Sequence, residues 1–259
     1  MAAGEKMIEV KGLTKAYGRH TALKDVSFTL EKGKLYGLLG VNGAGKTTTL
    51  QLLSGFLEPS SGEVLVDGVS MEKDPVFCKK RISYLPEVPP LYPELTVEEY
   101  LGFCAELRGI PKKERQAAVY EALAKGALRR VGNRLIGHLS KGFRQRVGFA
   151  SALIGDPEIL LLDEPTNGLD PVQIVTLRSR LLELKKNRIV VVSSHVLSEI
   201  EQLADDYLIL AAGQLVASGS CDGTGGLERL FLETTEKAYA EIAGREAEEE
   251  ARWEEENDD

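Results

Sequence analysis

Continuous apolar runs, more than alternating ones, mark the middle of this chain. LYGLLG (35–40), ISYLP (82–86), EILLL (158–162) and RIVVVSS (188–194) are short and bounded by glycine, proline or charge. That is the pattern of strands buried on both faces. Thr96 with Glu99 forms a capping box opening a helix to about Arg108, and Pro111 opens a second to about Lys125. Further helices are expected after Asp170–Pro171 and after His195. Buried strands alternating with helices predict an α/β protein whose largely parallel sheet is covered on both faces. The opening, from Met7 to about Phe28, alternates loosely around Gly12 and Gly18 and predicts short antiparallel strands, with GEVLVDG (62–68) as another. Residues 88–153 are mostly helical in pattern and interrupt the alternation, so they are expected to form a helical insert. There is no internal repeat.

From about Glu236 the composition changes. EKAYAEIAGREAEEEARWEEENDD is low in complexity, and residues 233–259 are expected to be an acidic tail, frayed or disordered. The other reading is a partner-docking helix that uses Tyr239, Ile242 and Trp253. Residues 241–259 hold ten acids and two arginines, which accounts for the whole net charge of -8. The main body is neutral, so a nucleic-acid binder relying on a general positive field is not expected. Cys78, Cys104 and Cys221 are widely spaced, odd in number and read as reduced, small apolar side chains. No run approaches 18 apolar residues and MAAGEKMIEV has no apolar leader core, so neither a membrane span nor a secretory signal is expected.

The chemistry gathers at strand ends. GVNGAGKT (Gly40–Thr47) matches the phosphate-binding pattern G-x-x-x-x-G-K-[ST], and it sits between a strand and a helix, the context that supports such a match. Gly40, Asn42, Gly43, Ala44 and Gly45 would wrap a polyphosphate in backbone N–H groups. Lys46 would neutralise its β and γ oxygens, and Thr47, followed by Thr48, would place a hydroxyl on Mg²⁺. A nucleoside triphosphate with Mg²⁺ is the expected ligand. The other three apolar strands run into Glu87, into Asp163–Glu164 and into His195, so parallel neighbours would bring these groups to one edge. Asp163 suits Mg²⁺, Glu164 suits a general base for water, and His195 suits a donor to the terminal phosphate. A further element, HLSKGFRQRVGFA (138–150), opens a helix at Ser140 with Lys141, Arg144 and Arg146 in or beside the first turn. Positive charge at the positive end of a helix points to an awaited anion.

In this order, GVNGAGKT, LSKGFRQR, ILLLDEPTNGLD and SSH resemble the ATP-binding subunit of an ABC transporter, over roughly residues 7 to 232. The layout is most similar to the single-domain subunits of two-component (ABC-2 type) exporters. The resemblance implies an ATP-binding domain over 1–232 that pairs head to tail with a second copy or a paralogue. Ser140 and Gly142 of one subunit would then meet the γ-phosphate held by the other's Lys46, and Asp170 would cross the interface. It further implies that Tyr17 stacks on adenine, that Glu87 senses the metal, and that separate transmembrane permease subunits hold the chain at the cytoplasmic face of the membrane. Two departures stand out: Lys141 and Phe143 replace a glycine and a glutamine of the family signature, and Glu87 replaces a glutamine. VPPLYPEL (88–95) either presents Val88, Leu91 and Tyr92 as a docking surface or packs them under the insert. The alternative function is a soluble, non-transport ABC-type ATPase, although such relatives usually carry two domains or a long coiled-coil insertion. A GTP switch lacks support, since no Asn-Lys-x-Asp occurs.

Overall fold

The computed structural model describes the backbone of residues 6–221, 223 and 225–257, and the side-chain surroundings of most residues from 7 to 244. Two sheets organise it. The first is antiparallel, in the order β2-β1-β4-β5, from β1 (Lys6–Tyr17), β2 (His20–Glu31), β4 (Ser61–Val66) and β5 (Val69–Ser70). β1 and β2 are 12 residues each, longer than the short strands expected. Register shifts around Val10–Leu13 and Lys11–Thr14, with Gly12 at φ 57, bend the ladder and let it continue.

The second sheet has the order β10-β9-β3-β8-β7-β6. Its strands are β3 (Leu35–Leu39), β6 (Ile82–Leu85), β7 (Ile159–Leu162), β8 (Ile189–Ser194), β9 (Asp206–Ala211) and β10 (Gln214–Ser220). All pairings except β9 with β10 are parallel. β3, β8, β7 and β6 are therefore consecutive neighbours, and their carboxyl ends lie side by side.

Successive residues of these strands point to opposite, equally buried faces, which is why the runs are continuously apolar. Leu38, Leu161 and Val191 join Ile8, Leu30 and Val66 of the antiparallel sheet, together with Leu50 and Leu53 of α1 (Lys46–Leu53). On the other face, Leu39, Leu162 and Val192 pack against Leu177 and Leu181 of α6 (Pro171–Leu184) and Ile200 of α7 (Leu197–Leu203).

Within the expected insert lie α3 (Val97–Leu107), α4 (Lys112–Lys125) and α5 (Lys141–Ala152), with a core of their own around Leu101, Leu123, Leu128 and Val147. The Thr96–Glu99 capping box is present in full. Val88 is 80% exposed, whereas Leu91 packs against the insert core, so the VPPLYPEL segment divides between the two readings. α2 (Pro75–Arg81) has no counterpart in the sequence expectations; seven residues are too few for a helical period, and only the Asp74 cap before Pro75 marked it.

The tail departs from expectation. α8 runs unbroken from Leu227 to Asn257, straight through the expected boundary at 232/233 and through the segment read as frayed. Its first turns are anchored because Leu227, Leu230 and Phe231 pack on the second sheet's outer face. Beyond them, its Glu- and Ala-rich composition favours helix. Tyr239 stays exposed, and the side chain of Trp253 lies outside the described residues.

Candidate active site

The loop after β3 turns into α1 through Gly43 and Gly45, at φ 82 and 105. Gly45 is the N-cap of α1 and supplies no side-chain cap, so the first-turn amides of the helix keep their free donors. A Cβ on Gly45 would sit 2.7 Å from Leu23 Cδ1 and 2.9 Å from Ala22 O. Only glycine allows the loop to lie this close to β2. Gly40 and Ala44 are buried behind the loop, where a Cβ on Gly40 would meet Leu210 O at 2.6 Å and Ala44 Cβ at 2.8 Å.

In front of the loop is a cleft of about 540 Å³. Its walls include Asn42, Gly43, Gly45, Lys46, Thr47 and Thr48 from the loop and α1. Glu87 (after β6), Asp163, Glu164 and Asn167 (after β7) and His195 (after β8) face them. Tyr17, His20 and Ala22 close it from the antiparallel sheet. Parallel pairing has brought the four strand ends to one edge, as the sequence reading required.

Electrostatics sharpen this picture. Lys46 and Glu164 are each 7% exposed and Asp163 is 1% exposed. Lys46 Nζ donates to Gly40 O at 2.7 Å and lies 3.9 Å from Glu164 Oε1. Burial pushes the Lys46 ammonium below its usual pKa, with Glu164, Asp163 and Glu87 pulling it partly back. The other Glu164 oxygen is 3.0 Å from His195 Nδ1. Asp163 Oδ1 accepts a 2.6 Å hydrogen bond from Ser193 Oγ, and the same hydroxyl accepts from Glu164 N at 2.8 Å. Glu87 Oε1 accepts from Asn167 Nδ2 at 2.9 Å. Tyr17 is 46% exposed at the cleft rim, with Lys15 Nζ 5.3 Å from its ring centroid.

Five expected residues do not line this cleft: Gly40 and Ala44, buried behind its loop, and Ser140, Gly142 and Asp170. Ser140 caps α5, accepting from Phe143 N at 3.4 Å, and Asp170 caps α6 in a capping box with Gln173. Gly142 lies against that second cap: a Cβ there would meet Gln173 Oε1 at 2.6 Å and Gly168 O at 3.3 Å. Ser140 and Asp170 are exposed at these two helix starts, Gly142 is buried beside Gln173, and none of the three lines the cleft with their own chain's phosphate loop.

The basic turn needs one correction. Arg146 does not face outward for an anion; it donates to Gly126 O at 2.9 Å and to Ala127 O, and it lies against the Phe143 ring. These bonds to the carbonyls that follow α4 make it part of the joint between α4 and α5, and burial lowers its pKa. Arg144 remains exposed while donating to Leu139 O, and Lys141 is exposed beside Gly168.

Sequence reasoning passed over His20, Asn167, Tyr84 and Ser193. Ser193 and Asn167 stood inside the quoted motifs SSH and ILLLDEPTNGLD, but only the β7–β8 and β6–β7 registers show which carboxylates they reach.

The chain and its fold are similar to those of known proteins. A family model described as ABC transporter matches residues 23–167. The bacitracin transport ATP-binding protein BcrA of Bacillus licheniformis is 40% identical, over 88% of this chain and 74% of its own length. A solved ATP-binding subunit of an ABC transporter superposes with TM-score 0.81 at 33% identity, over 88% of this chain and 99% of that one. An ATP-binding cassette solved as a dimer in a post-hydrolysis state, bound to ADP and Pi, gives TM-score 0.77 at 26% identity, over 83% and 99%. This chain belongs to the ABC transporter family, as an ATP-binding and ATP-hydrolysing subunit.

Proposed function

We propose that two copies of this chain, or this chain and a paralogue, close head to tail around two ATP molecules and drive export through separate transmembrane subunits at the cytoplasmic face of the membrane. The observation that carries the reading is that Ser140, Gly142 and Asp170 lie on neither the cleft nor the phosphate loop, whereas Lys46, Thr47, Asp163, Glu164 and His195 line the cleft together. A donor-bearing helix start whose Ser140 cap is exposed supports use by a second molecule.

Within one composite site the roles divide by position. The loop amides and Lys46 bind the phosphates, Lys46 exchanging Gly40 O for a phosphate oxygen. Thr47 from α1 and, facing it, Asp163 and Glu87 offer hard oxygen ligands around one cleft, and Mg²⁺ is characteristically held by one or two carboxylates plus substrate phosphates. The residues therefore fit the metal, which when bound neutralises charge on the phosphates. Glu164 holds the attacking water and takes its proton as oxygen bonds to the γ-phosphorus and the bond to ADP breaks. His195, tied to Glu164, fixes that carboxylate and stands where it can donate to the departing phosphate. Among the described residues no helix is long and apolar enough to cross a membrane, so the span is assigned to partner chains. A relative named for bacitracin transport supports a transported substrate.

The test is to tag the chain in its native cell, solubilise membranes in mild detergent and identify what co-purifies. A stoichiometric polytopic membrane protein is expected. Recovery with soluble complexes alone, from cells whose membranes lack the bait, would contradict the transport reading and favour a non-transport ATPase.

A further inference from the structure

We infer that Ser193 is a positioning residue for hydrolysis, its single hydroxyl setting Asp163 and Glu164 in register with each other. The inference deepens the proposed function and rests on it. Ser193 lies in β8, is fully buried and pairs with Leu38 of β3 on one side. Its Oγ donates to Asp163 Oδ1 at 2.6 Å and accepts from Glu164 N at 2.8 Å. A hydroxyl has one hydrogen to give and two lone pairs, so both of these bonds can form at once. One atom of β8 thus ties the side chain of one carboxylate to the backbone of the next.

Both tied groups need holding. Glu164 sits at φ 45, a region that side-chain-bearing residues adopt only when their surroundings enforce it. Its amide is bonded to Ser193 and its carbonyl accepts from Asn167 N at 3.1 Å, which fixes the peptide on both sides. For Asp163, the other side-chain contact is Tyr84 OH at 3.5 Å from Oδ2, a distance at which little directional force remains. Ser193 is therefore the strong anchor of the Asp163 side chain. Without that hydroxyl Asp163 is free to rotate and the Glu164 peptide loses the partner that holds its unfavourable backbone angle. Ser193 Oγ itself bonds Asp163 and Glu164 and not the phosphate loop.

The test compares the full chain with Ser193→Ala and Ser193→Cys. ATP hydrolysis is measured across a Mg²⁺ titration, ATP affinity in EDTA, and thermal midpoint separately. Cysteine fills the space of serine but is only a weak donor. Both variants are expected to lose roughly 10- to 100-fold in kcat, the usual consequence of removing a group that orients a metal-facing ligand. The Mg²⁺ concentration for half-maximal rate should rise, while metal-free ATP affinity stays unchanged. Wild-type turnover by Ser193→Cys would show that volume, not the hydroxyl, matters, and would overturn the inference. Parallel loss of metal-free ATP binding and thermal midpoint in both variants would also overturn it, since that is general loosening of the fold. Absence of hydrolysis by the unsubstituted chain would instead contradict the proposed function.

Discussion

Glu164 lies between two partners of opposite reach: one oxygen is 3.9 Å from Lys46 Nζ and the other 3.0 Å from His195 Nδ1. The lysine belongs to the phosphate loop and the histidine to the end of β8. On the proposed reading, these two contacts hold the carboxylate within reach of a water beside a loop-bound γ-phosphate. Glu164→Gln keeps the shape and removes the basicity. Its turnover should fall by roughly 100-fold or more, the scale of general-base loss, and an ATP-bound dimer should accumulate on size exclusion. Undiminished turnover would remove Glu164 from the role of base.

Glu87 replaces the glutamine expected from the resemblance, and its Oε1 accepts from Asn167. A glutamine can accept the same bond through its own oxygen, so Glu87→Gln changes charge with little change of contact. A carboxylate beside the terminal phosphate repels ATP that lacks its metal. The substitution should therefore strengthen ATP binding in EDTA and flatten the dependence of hydrolysis on Mg²⁺. Identical Mg²⁺ profiles would leave the carboxylate without a special role.

Lys46 carries a pH signature. Burial holds its folded pKa below the ordinary lysine value, whereas bound phosphates supply negative charge that raises it. The sign follows directly: in the window between the depressed and ordinary values, the free site has lost its proton and the bound site keeps it. ATP binding there must take up protons, and affinity must fall as pH rises. Calorimetry in two buffers of different ionisation enthalpy should show net uptake at alkaline pH; no difference between buffers would count against the depressed Lys46.

Gly37 sits at the centre of β3, and a Cβ there would come within 2.0 Å of Ile200 Cγ2 on α7. Gly37→Ala should destabilise by about 1–3 kcal/mol through overpacking. Ile200→Ala in the same chain should restore part of that loss, a coupling that denaturant unfolding of the single and double variants would register. Strict additivity would mean that the sheet and α7 separate without strain.

The parallel sheet was legible because four apolar runs carried their own boundaries, and their polar ends named Lys46, Glu87, Asp163, Glu164 and His195 before any coordinates. Ser193 and Asn167 were not legible as partners. Their roles depend on which neighbour each strand end faces, a matter of register between strands more than 25 residues apart in sequence. α8 was misread for a different reason. Acidic, low-complexity sequence has the composition of disorder, and the anchoring of Leu227, Leu230 and Phe231 that starts the helix is a tertiary effect. Arg146 shows the same limit, since charge at a helix start points to an anion until packing turns it onto the carbonyls of Gly126 and Ala127.

The pairing of two chains is tested most directly by mixing two inactive variants, Lys46→Ala and Ser140→Ala. Head-to-tail closure gives the mixed dimer one composite site in which both residues are intact, with Lys46 from one chain and Ser140 from the other. Each variant alone should hydrolyse ATP poorly, and the mixture should recover a substantial fraction of the unsubstituted rate. If the mixture stays at the level of the separate variants, Ser140 serves the cleft of its own chain and the two-chain arrangement is wrong.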